Sequence, residues 1–170
     1  MWTPWHFSRQ LRQLTTDQIS YTDSVGPLDT PKDITSVGSV RGNAAASGGL
    51  ITVEANSLVF RDYGFILGAD IVVGIEIQLS VTRLSRIQDR VIQLYIGSEA
   101  VGANLADAAA GDVQVYGGDL AKWQISTMVV DYTSPQFGCV IDLGPHQRYP
   151  SNNTITIHSV AMRLDLVSLV

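Results

Sequence analysis

Alternation of apolar and polar residues is the feature that most constrains the fold of this chain. From position 71 to position 81 every second residue is branched and aliphatic, while Gly74, Glu76, Gln78 and Ser80 occupy positions between them. Successive side chains of a β-strand point to opposite faces of the sheet. The pattern therefore predicts a long strand with one buried face.

The same period of two recurs along the rest of the chain. It covers residues 92–96 and 137–143, and shorter runs lie at 50–53, 57–60, 64–67, 113–116 and 125–132. Near the C-terminus the apolar positions change from odd to even at His158-Ser159, which predicts a β-bulge because a bulge inserts one extra residue. With eight or nine short strands and turn residues between them, residues 50–170 are predicted to form an all-β, jelly-roll-like antiparallel β-sandwich.

The first 49 residues lack this sustained alternation. They end in a Gly-, Ala-, Ser- and Asn-containing stretch from Gly42 to Gly49 that is typical of a flexible link. Residues 1–49 are therefore predicted to be an extended N-terminal docking arm with its linker. The spacing of Phe7, Leu11 and Leu14 predicts a short helix over residues 8–19.

Three large aromatic residues, Trp2, Trp5 and Phe7, lie close together at the start of the chain. Apolar groups of this size are unfavourable in water, so they are expected to dock on this domain or on another subunit. Leu11 and Leu14 are candidate further contacts of the same interface.

The charge content limits the classes of partner. Asp, Glu, Lys and Arg make up only 16% of the chain, against about 25% in an average protein, which favours an assembly subunit with much of its surface covered. A net charge of −5 argues against a nucleic-acid partner. No apolar run reaches membrane-spanning length and no secretory signal is apparent, so neither a membrane partner nor export is expected.

No constellation of residues predicts catalysis, a cofactor or a metal. His6, His146 and His158 are not at ligand spacing, and Asp107, Asp112 and Asp119 do not match a calcium loop and are interpreted as turn residues. No nucleophile can be matched with a base, so the chain is not expected to be an enzyme. The single cysteine, Cys139, shares an alternating face with Phe137 and Ile141 and is predicted to be a buried, unreactive core residue.

Aromatic residues of the second half suggest a second kind of site. Tyr116 and Trp123, with His146 and Tyr149 on a Pro-flanked loop, are candidates for surface recognition. Trp123 with Tyr116 and Tyr132 would form the platform on which a sugar could stack. The more usual role of such residues is to close a core. The Gly117-Gly118 pair is predicted to adopt positive φ.

A series of short motifs resembles a β-sandwich domain that recurs in structural proteins of tailed bacteriophages. The motifs are Gly102-x-Asn104-x-Ala106-Asp107, Tyr116-Gly117-Gly118 followed by Trp123, Gln136-Phe137-Gly138, and Ser159-Val160 followed by Arg163-Leu164. They cover roughly the last 95 residues, in the order in which they occur in that domain.

The resemblance implies a virion structural protein of the tail, neck, fibre or head decoration, assembled in the host cytoplasm. Its expected partners are other virion proteins and copies of itself, in a trimer or larger ring. The alternative is a carbohydrate-binding or host-receptor-binding module with a host glycan as ligand.

Overall fold

The computed structural model describes residues 1–14, 19–21, 41–43, 52–54, 57–83, 87–125, 130–145 and 155–168. Over these residues the chain is almost entirely β-structure, with one short helix. The elements are β1 (His6–Phe7), β2 (Gln10–Leu14), β3 (Ile19–Tyr21), β4 (Arg41–Asn43), β5 (Thr52–Glu54), β6 (Ser57–Arg61), β7 (Ile71–Arg83), β8 (Ile87–Ile96), β9 (Glu99–Val101), β10 (Val113–Asp119), α1 (Leu120–Trp123), β11 (Phe137–Pro145) and β12 (Ile155–Val167).

Two antiparallel sheets pack face to face and confirm the predicted sandwich. The first sheet has the order β1-β12-β7-β10, and the second has the order β3-β2-β6-β11-β8-β9. Strands β4 and β5 form a separate pair that includes Gly42 and Asn43, whereas the rest of the predicted linker lies outside the described residues.

The core between the two sheets is built from the alternating residues. Ile75, Ile77 and Leu79 of β7, in the first sheet, are fully buried. They belong to the same core cluster as Phe137, Cys139 and Ile141 of β11, in the second sheet. The inward face thus follows the sequence pattern, and the prediction that Cys139 is buried is confirmed.

Two irregularities in β12 decide which residues face the core. The predicted bulge is confirmed, because the register of β12 against β7 shifts between Ile157 and Ser159. A second shift lies between Asp165 and Leu166, which leaves Val73 without a register partner. As a result Val72 is buried, while Ile71 and Val73 are exposed, contrary to the simple alternation.

Three predictions of local structure are wrong or only partly covered. Residues 10–14 form a strand and not a helix, because they pair with β6 in the second sheet. Residues 64–67 form no strand, although Phe65 and Leu67 pack on the core. The predicted strand at 125–132 lies partly outside the described residues, and residues 130–132 are not in a strand.

The N-terminal residues contribute a strand to each sheet. Strand β1 pairs with β12 in the first sheet, and β2 pairs with β6 in the second. Between them Ser8 is buried and its hydroxyl donates to the carbonyl oxygen of Arg61 at 2.7 Å. Residues 6–14 therefore cross from one layer of the sandwich to the other.

Among the residues that the structure describes, no helix has the length and apolar character needed to cross a membrane.

Candidate functional site

Most of the exposed large apolar side chains among the described residues lie on one face of the sandwich. This surface, here called the outer face, is the side of the first sheet (β1-β12-β7-β10) that points away from the core. Of the seven large apolar residues that are exposed among the described ones, five lie on this face: Ile71, Val73, Val113, Val115 and Val167. Apolar residues exposed on the same sheet face are candidate contacts for another protein.

An arginine held between two tryptophans lies in the same sheet. The guanidinium carbon of Arg163 is 4.8 Å from the ring centroid of Trp2 and 4.4 Å from that of Trp5. Its Nε donates to Oε2 of Glu76 at 2.7 Å, and its Nη2 lies 2.6 Å from the same oxygen. The four side chains form the aromatic–arginine cluster of the outer face.

Strand register explains why these residues meet. His6 lies opposite Met162 and Phe7 opposite Ala161, so Trp5 lies alongside Arg163, which in turn lies opposite Glu76. Trp2 forms an isolated bridge with Asp165. Its ring reaches over Gly74, where a β-carbon would lie only 3.2 Å from Cη2 of Trp2. The absence of a side chain at position 74 therefore leaves room for the indole.

Three of the five predicted interface residues lie in or beside the first sheet. Trp2, Trp5 and Phe7 are half-buried on their own sandwich, which is one of the two docking modes expected from the sequence. Leu11 and Leu14 lie in β2, opposite Phe60 and Ser57 of the second sheet. They are not part of the outer face.

The prediction that Tyr116 and Trp123 are available at the surface is wrong. Trp123 is completely buried, and its Nε1 donates to the carbonyl oxygen of Ile75 at 2.9 Å. Tyr116 is 5% exposed and its hydroxyl donates to the buried carboxylate of Asp89. Both rings close the core, which is the more usual role of aromatic residues in a sandwich. His146 and Tyr149 lie outside the described residues.

Glycine at position 117 is required for this position of the tryptophan. Gly117 has a φ of 99°, and a β-carbon there would lie 2.3 Å from the carbonyl oxygen of Ile75 and 2.6 Å from Nε1 of Trp123. Gly118 has a φ of 133°. The predicted positive φ of this pair is confirmed, within β10 and not in a free turn.

The loop between β9 and β10 is fixed to β8 by the amide of Asn104. Its Oδ1 accepts from the backbone N–H groups of Ile92 at 2.9 Å and Ala106 at 3.1 Å, and its Nδ2 donates to the carbonyl oxygen of Arg90 at 2.9 Å. The carboxylate of Asp107 accepts from the N–H of Ala109 in an Asx turn. The motif around Asn104 thus shapes the loop.

Asp119 has a comparable structural role one loop later. Its carboxylate caps the N-terminus of α1 by accepting from the N–H of Lys122 at 3.2 Å. No group of three or more His, Cys, Asp or Glu side chains that could hold a metal ion is found within the described ranges.

Sequence reasoning missed Arg163 and Glu76. Both lie at polar positions between apolar residues of their strands, where a residue faces away from the core, and Arg163 also belongs to the motif series, but neither signal gives it a partner. Which N-terminal residues would reach them depends on the pairing of β1 with β12, which no local pattern reveals.

No protein-family model, no curated protein and no solved structure matches this chain.

Proposed function

We propose that this protein is a structural subunit of a tailed-bacteriophage virion that associates with copies of itself and with other virion proteins, its N-terminal residues forming part of the docking surface. The observation that carries the proposal is the outer face, which combines most of the exposed apolar residues with the aromatic–arginine cluster.

The composition of the outer face suits a protein partner. Tryptophan and arginine are the residues that most often dominate the free energy of protein association. Arg163 is already paired with Glu76, so a partner that covers the cluster would bury a compensated charge. Burying an unpaired charge would cost several kcal/mol, on the order of 3–5.

The virion location is supported by the resemblance of the motifs, several residues of which have structural roles. Asn104 fixes a loop, Trp123 closes the core, and Arg163 orders the outer face. A motif series that specifies a sandwich and not a catalytic site is what a structural protein requires.

The glycan-binding alternative has lost its main support. Its proposed stacking platform consisted of Trp123 with Tyr116 and Tyr132. Tyr116 and Trp123 are buried, and the half-buried ring of Tyr132 packs edge-on against Phe137 with the ring centroids 5.1 Å apart. An exposed ring is needed for stacking on a sugar.

The test is incorporation into phage particles. Particles produced with the tagged native chain should contain it in a fixed ratio to the other structural proteins. The double variant Trp2→Ala, Trp5→Ala keeps the backbone of β1 but uncovers Arg163, and its incorporation should fall by about tenfold or more.

Ile66→Ala is the matched control, because Ile66 is 92% exposed but lies in the segment between β6 and β7. This variant should incorporate normally. Absence of the native chain from particles would refute the virion assignment. Normal occupancy of a folded double variant would show that the aromatic–arginine cluster is not the docking surface.

A further inference from the structure

The open edge of the first sheet is a second surface, beside the outer face, to which a partner could bind. Strand β10 is the last strand of the order β1-β12-β7-β10, so no described strand pairs with its other side. It is seven residues long, and no charged residue lies from Val113 to Gly118. Natural proteins usually protect such edges with charges, prolines or very short strands.

The other sheet edges have that protection or are short. Strand β1 has two residues and follows Pro4, which has no N–H to donate. Strands β3 and β9, and both strands of the β4-β5 pair, have three residues each, and β9 begins with Glu99. Among the described edges, β10 is therefore the most suitable for strand addition.

The backbone of β10 directs alternate residues towards solvent. The N–H of Val81 donates to the carbonyl oxygen of Asp112 at 2.8 Å, and Val113 lies opposite Ser80. In an antiparallel pair, hydrogen-bonded and non-hydrogen-bonded residues alternate. Residues with even numbers therefore bond to β7, and the N–H and C=O groups of Val113 and Val115 point out of the sheet edge.

We propose that β10 pairs with β10 of a second copy of this chain, antiparallel and across a twofold axis centred on Val115. The inference rests on the self-association included in the proposed function and specifies its surface. Val115 then lies opposite Val115, and Val113 lies opposite Gly117. The pair makes about six hydrogen bonds between the copies and joins the two first sheets into one continuous sheet.

Side chains fit this register. Val115, 41% exposed on the outer face, lies opposite Val115 of the other copy, and such pairs of β-branched residues are favourable. Val113 is 60% exposed and lies opposite Gly117, which leaves room for its side chain. The carbonyl oxygen of Val115 accepts only a 3.4 Å contact from the side chain of Gln114. The carbonyl oxygen of Gly117 accepts from Nζ of Lys122 at 3.1 Å and has a second lone pair for the N–H of Val113 in the other copy.

Charge favours this register over a shifted pairing of the two β10 strands. With Val115 at the centre, Asp112 of one copy lies opposite Gly118 of the other, beside which Lys122 places its ammonium group. Asp119 lies opposite Gly111 in the same arrangement. A shift that centres the axis on Val113 would instead bring the two Asp112 residues near each other, where like charges repel.

A proline substitution tests the hydrogen bonds without disturbing the subunit. Val115→Pro removes an N–H that points away from β7, so it should preserve the fold and abolish dimerisation, whereas Val115→Thr keeps the N–H and a β-branched side chain and should remain dimeric. Sedimentation equilibrium on the full chain at micromolar concentration measures the mass, and circular dichroism checks the fold. A monomeric native protein, a mass of an odd number of chains, or a folded Val115→Pro variant that still dimerises would overturn the inference.

Cysteine cross-linking tests the register even if the proline variant fails to fold. Opposite residues of a hydrogen-bonded pair have Cα atoms about 5.5 Å apart, which suits a disulfide. Val115→Cys should therefore form a disulfide-linked dimer under mild oxidation. Val113→Cys should not, because its two copies would be about 13 Å apart along the strand. Buried Cys139 contributes no background. Failure of Val115→Cys to cross-link, or equal cross-linking of both variants, would overturn the register.

These results are independent of the virion assignment. A chain that enters particles but never cross-links through position 115 refutes only the strand pairing. A chain that cross-links as expected but is absent from particles refutes only the virion location. An even-numbered ring can contain such pairs, whereas the trimer expected from the sequence cannot.

Discussion

At the scale of single residues, the sequence placed Cys139 correctly and Trp123 wrongly. Cys139 was placed correctly in the core because its neighbours at two-residue spacing, Phe137 and Ile141, are apolar. Trp123 was misplaced because no alternating run surrounds it, so the sequence gives no indication of which way its side chain points. Its position depends on the space left by Gly117 and on the carbonyl oxygen of Ile75, both of which are tertiary features.

The environment of Cys139 predicts low reactivity. Burial raises the pKa of the thiol from 9.0 to about 12, and the hydrogen bond with the hydroxyl of Tyr63, 3.4 Å away, lowers it only in part. At pH 8 only about one thiol in ten thousand is then ionised. A disulfide reagent should leave the native protein unlabelled and should label it at the unfolding rate in denaturant, and rapid labelling of the native protein would contradict the burial.

The same shift predicts sensitivity to alkaline conditions. Because the pKa is higher in the folded state, the contribution of Cys139 to stability is present below pH 9 and is lost between about pH 9 and pH 12. Burial also raises the pKa of Tyr63, which adds a loss in the same direction. The midpoint of urea unfolding should therefore decrease over this range, and a constant midpoint would contradict the prediction.

At the scale of elements, strict alternation located the long strands. It also revealed the bulge at His158, because a change of parity has no other simple explanation in a one-sided strand. The pattern failed where a segment is short or where tertiary pairing overrides a helical spacing. Phe7, Leu11 and Leu14 fit one face of a helix, yet residues 10–14 pair with β6.

The packing of Trp123, in helix α1, against Gly117 of β10 can be tested by substitution. Gly117→Ala should lower the free energy of unfolding by about 2–4 kcal/mol, because the backbone conformation is strained for alanine and the methyl group would meet Ile75 and the indole of Trp123. Gly68→Ala is the control, since a β-carbon there would have no neighbour within 4 Å. Its effect should stay within about 0.5 kcal/mol. Equal urea midpoints for the two variants would contradict the conclusion that position 117 requires glycine.

At the scale of the whole molecule, the N-terminal residues, which lack the alternation of the later strands, are part of both sheets of the sandwich. Strand β1 completes the first sheet, β2 extends the second, and the two tryptophans cover Arg163. The sequence predicted that these aromatics dock, because they are too apolar to remain in water. It could not predict where, since the contact joins residues about 160 positions apart along the chain.

Removal of residues 1–7 should therefore weaken the sandwich itself. The deletion takes away β1 and two half-buried indoles, and we expect the free energy of unfolding to fall by about 3–5 kcal/mol. Urea denaturation followed by circular dichroism measures this loss, with the Trp2→Ala, Trp5→Ala variant separating the contribution of the rings from that of the strand. An unchanged midpoint in the deletion variant would show that these residues contribute no stability.

The pairing of β1 with β12 also sets an order of events during synthesis. The ribosome makes His6 and Phe7 long before Ala161 and Met162, their partners. At about 5–20 residues per second, the gap is roughly 8–30 s. Until then the tryptophans have no arginine to cover, and the proposed docking surface does not exist. A nascent chain arrested before residue 160 should consequently lack the aromatic–arginine cluster, and with it the docking surface that we propose.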